Sequence, residues 1–399
     1  FDADGDGDQD LYVCSGSTDF SSASPALKDR LYINDGTGAF KNSGQQLPIR
    51  GYESTSCVRA SDFDQDGDTD LFVGTRVKIS RYGYPVNGYL LRNDGKGNFS
   101  NVAGSQAPEL SKIGMITDAQ WLDVDQDGDQ DLLVAGEWMS IRLFINNKGV
   151  FKDESKVYNL LGTEGWWNTI EIADLDQDGD MDFVAGNHGL NSRFHASVEK
   201  PTSMFVNDFD KNGSIEHIIC TYIGDKSYPM VLRHDLIQQL PSLKKKYLSY
   251  AAYRDQSVED MFTSAQLENA LKLNVFELAT TAFINNGIKG FEKKLLPVEA
   301  QFAPVYAIKV FDYNGDNIQD ILLGGNLYRT KPEVGRYDAS FGLLLKGLGK
   351  GDFSSVAAKE SGFFVDGEVR DIEILSVNAE PLMLTSRNND TMKFFKIRK

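Results

Sequence analysis

The chain has 399 residues and a formal net charge of −17 at pH 7, which disfavours nucleic acid and acidic lipid surfaces as partners. Hydrophobic residues make up 41% and aromatics 11%, enough for a packed core, and no apolar run approaches the roughly 20 residues of a membrane span. The charge is clustered: 26 of the 58 Asp and Glu residues fall in six short loops, and the other 32 face 41 Lys and Arg, so the rest of the chain is mildly basic.

Those loops recur in register along the chain. The first, DADGDGDQD, places Asp2, Asp4, Asp6, Asp8 and Asp10 at alternate positions, and because the chain opens in mid-repeat it is expected to be a fragment of a longer one. DFDQDGDTD follows with Asp62, Asp64, Asp66, Asp68 and Asp70. DVDQDGDQD carries Asp123, Asp125, Asp127, Asp129 and Asp131, and DLDQDGDMD carries Asp174, Asp176, Asp178, Asp180 and Asp182. Two weaker copies come after: DFDKNGSIE, with Asp208, Asp210, Asn212, Ser214 and Glu216, and DYNGDNIQD, with Asp312, Asn314, Asp316, Ile318 and Asp320.

Side-chain oxygens at positions 1, 3, 5 and 9, with a backbone carbonyl at position 7 (that of Ile318 in the last copy), match the demand of Ca2+ for about six to eight oxygens. Carboxylates this dense repel one another without a cation. Position 6 must tolerate positive φ, and it is Gly7, Gly67, Gly128, Gly179, Gly213 and then Asn317. An EF-hand would place Glu at position 12 and a helix on each side; here position 12 is Val13, Val73, Val134 or Ala185, inside short β-rich runs.

Downstream of most loops lies a hairpin pattern, LYINDGTGAF from Leu31, LLRNDGKGNF from Leu90, LFINNKGVF from Leu143, AFINNGIKGF from Ala282 and LLLKGLGKGDF from Leu343. Each full repeat is therefore strand, acidic loop, strand and hairpin, which makes one four-stranded antiparallel unit. Loop-to-loop spacings of 60, 61, 51, 34 and 104 residues predict units at 1–50, 51–108, 109–160, 161–200, 201–297, 298–361 and 362–399. The longest step holds a helical insertion at 234–274, with Ser257 and Asp260 placed as a capping box.

These loops and hairpins resemble the FG-GAP/VCBS repeats of integrin α-subunit propellers and, more closely, of long bacterial cell-surface proteins. The resemblance covers nearly the whole chain. It implies one all-β domain: a seven-bladed β-propeller of four-stranded antiparallel blades, with calcium loops joining the first and second strands of a blade. Up to six Ca2+ would be held by the loop residues named above, and the last blade would pair with the N-terminal one to close the ring. It also implies a secreted protein, extracellular or at the cell surface. The ASPIC/UnbV module that often accompanies such repeats is not recognisable.

Of three cysteines, Cys14, Cys57 and Cys220, at least one must be unpaired; Cys14 and Cys220 fall at equivalent repeat positions suited to a small buried side chain. If the acidic loops form one rim, the connections between second and third strands and those between units form the other. Arg76, Trp138, Trp166, Trp167, His188, Asn191, Tyr328, Arg336 and Tyr337 are the candidate ligand-binding residues there, with Tyr52 beside them. Trp166 and Trp167 have an alternative role as wedges between blades.

A non-catalytic binding or adhesion module recognising a glycan or protein partner accounts for these features. A structural subunit of a larger surface assembly is the second reading. A calcium-dependent polysaccharide-active enzyme, with His188 and Glu137 at the channel mouth, is the third, but no nucleophile elbow, H-E-x-x-H or P-loop is present.

Overall fold

A computed structural model describes residues 1–49, 53–378 and 380–397; Tyr52 lies outside the described residues. The chain is all-β, with antiparallel sheets and few helices, an organisation consistent with a β-propeller. None of its helices is long and apolar enough to cross a membrane among the described residues.

Each acidic loop that precedes a strand pair behaves as the repeat predicts. In the second sheet, Ser54–Ser61 runs into the loop, Asp70–Val77 returns from it, and Gly88–Arg92 and Ser100–Asn101 complete the order. The third sheet repeats this with Met115–Leu122, Asp131–Met139, Arg142–Asn147 and Val150–Asp153, and adds Gly165–Trp166 beside the end of Asp131–Met139. The fifth is Val305–Phe311, Asp320–Gly325, Leu343–Gly349 and Asp352–Val356. The first sheet (Leu11–Val13, Arg30–Asn34, Phe40–Asn42) and the sixth (Val369–Val377, Glu380–Arg387, Lys393–Lys396) have three strands each.

Two expectations are corrected. The units drawn at 161–200 and 201–297 do not follow one another; one is nested in the other. The fourth sheet orders Thr169–Ala173, Asp182–Gly186, Thr281–Asn285 and Phe291–Leu295, so its hairpin comes from the AFINNGIKGF segment. Between its second and third strands sits a separate sheet, ordered Lys226–Pro229, Glu216–Ile223, Thr202–Asn207 and Leu271–Val275. The pairing is decided by Asp182, whose carboxylate accepts the Asn285 N–H at 2.7 Å, as Asp131 accepts that of Asn146. Seven sheets thus form among the described residues, but six follow the repeat and the seventh is an insertion. Secondly, seven successive four-stranded blades do not form: the first and sixth sheets have three strands each, and no hydrogen-bonded strand pair joins those two among the described residues.

The helical insertion forms as short pieces, Arg233–Gln239, Tyr250–Tyr253, Val258–Met261 and Ser264–Glu268, and its last predicted residues join the strand Leu271–Val275. The capping box of Ser257 and Asp260 is made in both directions. Leu236, Leu240, Tyr247 and Met261 bury this stretch on one face of the inserted sheet, against Phe205 and Cys220.

Between sheets the core is aromatic and branched aliphatic. Phe63 of the second loop stacks on Trp121 of the third sheet at 6.0 Å and meets Phe151 edge-on at 5.6 Å. Burying each such ring contributes about 2–3 kcal/mol. The innermost strands of the second to sixth sheets are neighbours in succession, which arranges the sheets about a common axis.

Candidate cation loops and the opposite rim

The acidic loops are built by their own carboxylates. Asp62 accepts the Asp66 and Gly67 amides at 3.2 and 3.0 Å, and Asp123 and Asp208 repeat the pattern, so the residue at position 1 caps the turn. Position 6 has φ between 65° and 95° throughout, at Gly7, Gly67, Gly128, Gly179, Gly213 and Asn317, as the sequence requires. Position 4 is also left-handed, at Gly5, Gln65, Gln126, Gln177, Lys211 and Gly315, which the sequence reading missed. Its signal was present in the two glycines.

Position 9 ties the loop to its sheet. Asp131 accepts Val124 N–H at 2.9 Å and Asn146 N–H at 2.7 Å, and Asp10, Asp182 and Asp320 do the same with their own loops and hairpins. Asn side chains of the hairpins then reach back to the preceding loop: Asn93 donates to Ala3 O at 2.8 Å, Asn146 to Phe63 O at 2.8 Å and Asn285 to Val124 O at 3.4 Å.

Three carboxylates approach within 4.8 Å of one another in five loops: Asp2, Asp4 and Asp6; Asp62, Asp64 and Asp66; Asp123, Asp125 and Asp127; Asp174, Asp176 and Asp182; and Asp208, Asp210 and Glu216. Buried carboxylate oxygens of Asp4, Asp64 and Asp70 have no hydrogen-bond partner among the described residues. Burial foremost, helped by neighbouring loop acids, pushes Asp70, Asp131 and Asp182 up to about 7. Hard, negatively charged oxygens converging with orphaned lone pairs fit a divalent cation such as Ca2+. The loop at Asp312 differs: the Ile318 amide, with Asn314 and Lys346, holds the Asp316 carboxyl below its usual range, and Lys346 stands 3.4 Å from it.

The candidate ligand-binding residues do not share one fate. Arg76 is half exposed and paired with Glu137 at 2.5 Å, which raises its guanidinium further above its usual value. Trp138 and Trp166, 5.2 Å apart, lie under the inserted sheet with Met115, Met204, Val206 and Val275. Trp167 is fully buried between the third and fourth sheets, its Nε1 donating to Thr163 O at 2.8 Å. His188 is enclosed by Trp166, Phe194 and Tyr337, and burial lowers it to about 4, so it is neutral. Glu137 is engaged by Arg76 and Tyr82, so it is not a free partner for His188. Asn191 donates to Phe302 O at 3.1 Å, and the Arg336 guanidinium lies 4.8 Å over the Tyr328 ring. All three cysteines are free thiols, with Cys57 and Cys220 buried.

What the rim does assemble is a cavity of about 660 Å3 to which all six repeat-derived sheets contribute. Ser54, Ser56, Thr117, Asn168 and Tyr306 line it from the starts of innermost strands or just before them, Arg76 from the end of a second strand, and Thr18, Arg329 and Asn388 from connecting segments. An eight-residue strand such as Ser54–Ser61 sets this mouth about 25 Å from the acidic loops of the repeat-derived sheets, whereas the Asp208 loop of the inserted sheet lies on the mouth's side, His217 beside it bonding Tyr82 O at 2.8 Å. Of its lining, sequence reasoning found Arg76 alone; Ser and Thr at strand starts carry no distinguishing pattern.

The fold and the loops define a class: an all-β repeat protein whose strand-joining loops are acidic. Residues 2–73 and 123–185 match the model of the FG-GAP-like repeat, and the chain carries FG-GAP-like repeats. No curated protein sequence matches it. Among solved structures, the Vibrio cholerae (V. cholerae) biofilm matrix protein Bap1 is similar at 9% identity, covering 94% of this chain and 76% of that one, with a TM-score of 0.37. A lectin of Agrocybe aegerita that recognises non-reducing terminal N-acetylglucosamine is similar at 14% identity, covering 82% and 73%, with a TM-score of 0.31. The exotype rhamnogalacturonan lyase YesX is similar at 14% identity, covering 99% and 70%, with a TM-score of 0.31.

Proposed function

We propose that this protein is a calcium-stabilised, non-catalytic β-propeller module acting outside the cell, which binds a glycan or protein partner through the rim opposite the acidic loops of its repeat-derived sheets. The observation that carries this reading is the rim cavity, in which six sheets converge on a lining of hydroxyls, amides, two phenols and two guanidiniums. Its volume suits a small ligand or one residue of a larger one, and its donors and acceptors suit recognition. The acidic loops serve as the scaffold: cations there neutralise carboxylates that otherwise repel, and the chain then presents a rigid rim.

The test is a glycan array and a panel of extracellular proteins probed with the calcium-saturated protein, followed by titration calorimetry of the hits. Thr18 is exposed on the cavity wall, so Thr18→Trp fills the cavity without disturbing a strand. Saturable binding that Thr18→Trp abolishes, at unchanged melting temperature, is the expected result. Binding indifferent to Thr18→Trp places recognition elsewhere and defeats this reading.

A further inference from the structure

We infer that the rim cavity receives an anionic group, so that the ligand of the binding module proposed above is an acidic saccharide; this deepens that reading and rests on it. The chain carries 58 acids, yet none lines this cavity, whereas Arg76 and Arg329 both do. The carboxylates that bond to its lining residues are already engaged, Asp29 by Thr55 at 2.7 Å, Tyr12 at 2.7 Å and the Ser15 amide at 2.8 Å. Glu137 is held by Arg76 and by Tyr82 at 3.1 Å. Glu368 is held by Arg370 at 2.9 Å, by Asn388 at 2.9 Å and by the Tyr328 amide at 2.9 Å.

Arg329 stands apart from this pairing. It is exposed and has neither an ion pair nor a hydrogen bond among the described residues, so its charge is unopposed at the mouth. A guanidinium presents a planar fork that matches a carboxylate, and protein walls of low dielectric focus its field into the cavity. In the same cavity the Tyr306 ring, backed by Arg370 at 4.2 Å, offers a face for the C–H side of a sugar. Ser17, Thr18 and Thr117 supply hydroxyls around the same space. Carboxylate, ring and hydroxyls together are the chemistry of a uronic acid residue.

Calorimetry on the calcium-saturated protein compares an oligogalacturonate with the same oligosaccharide fully methyl-esterified, and so neutral, against wild type, Arg329→Ala and Arg329→Lys. The acid form is expected to bind at least tenfold more tightly than the ester. Arg329→Ala should lose at least tenfold for the acid form and nothing for the ester, with Arg329→Lys intermediate. Melting temperature and calcium content are checked in each variant; since Arg329 is remote from the acidic loops of the repeat-derived sheets, uronate bridged through their calcium would bind Arg329→Ala undiminished. The Asp208 loop, whose Asn212, Ser214 and Glu216 share a cavity with Lys331, is tested by Asp208→Asn, which should leave the affinity for the acid form unchanged. Equal affinity for the two forms, full affinity in Arg329→Ala, or no binding of either form overturns the inference. The broader reading falls separately, only if no ligand of any class binds in a manner sensitive to Thr18→Trp.

Discussion

The side-chain amide of Gln65 donates to the Asp129 carboxylate at 2.9 Å, reaching from the second acidic loop into the third. Gln126 repeats the reach to Asp180 at 2.5 Å, and Gln177 bonds Asn317 O of the loop at Asp312. Four loops are thereby joined in the order of their sheets, and the loop at Asp208, on the inserted sheet, has no part in the series. A residue at position 4 whose backbone must be left-handed also sets the spacing between neighbouring sheets.

Gln65→Ala should therefore weaken the joint and leave the fold intact. Losing hydrogen bonds to a carboxylate and to Gly128 O costs about 1–2 kcal/mol. The melting temperature in saturating calcium is expected to fall by a few degrees with unchanged metal content. An unaltered melt would show that the link is incidental.

Chelation should lower stability markedly, because cations that bind the native loops add linkage energy and remove carboxylate repulsion. The loops are not equivalent. The sixth has no group of three carboxylates among the described residues and already has Lys346 at 3.4 Å from Asp316, so it should be the last to fill and the first to empty. The Asp208 loop, with Asp208, Asp210 and Glu216 gathered, should fill before it. Anomalous scattering from lanthanide-soaked crystals at rising concentration reads the order; prior filling at Asp312 contradicts it.

The pH dependence of the metal-free protein has a definite sign. Asp70, Asp131 and Asp182 sit at about 7 in the fold, above the value of about 3.9 for an unfolded Asp. Their contribution is fully present below that unfolded value and is lost as pH rises through 7, since the fold binds more protons than the unfolded chain. In EDTA the melting temperature should drop between pH 6.5 and pH 8.5, a window above the range in which His188, lowered to about 4, makes its opposite contribution. With calcium saturating, the drop should vanish, because the ligands are then deprotonated at both values. A metal-free melt that rises across this window would refute the assignment.

Trp167→Ala should act on stability alone. Trp167 fills the space between the third and fourth sheets beside Phe283, at 5.9 Å between rings, and removing it leaves a cavity costing about 3–5 kcal/mol. Denaturant unfolding should show that loss, while affinity for any rim ligand, measured where the variant is still folded, stays as in wild type. A selective loss of affinity would return Trp167 to the binding surface.

The acidic loops were legible from sequence because their physics is local: alternate carboxylates over nine positions, and a residue at position 6 that accepts φ near 90°, specify the turn without reference to the rest of the chain. The strands and hairpins were legible for the same reason. Tertiary structure alone decided which strands meet. Residues 202–223 carry the same alternation as a repeat unit, and nothing local says that the fourth sheet waits for its third strand until Thr281. That choice follows from the carboxylate of Asp182 and the surfaces around Phe183 and Phe283, which stack at 4.5 Å across 100 residues of sequence. The rim shows the same limit: Trp138 and Trp167 have the composition of a binding surface, but an inserted sheet covers one and a neighbouring sheet the other. The cavity that remains is made of strand ends whose convergence depends on how the sheets are arranged about the axis.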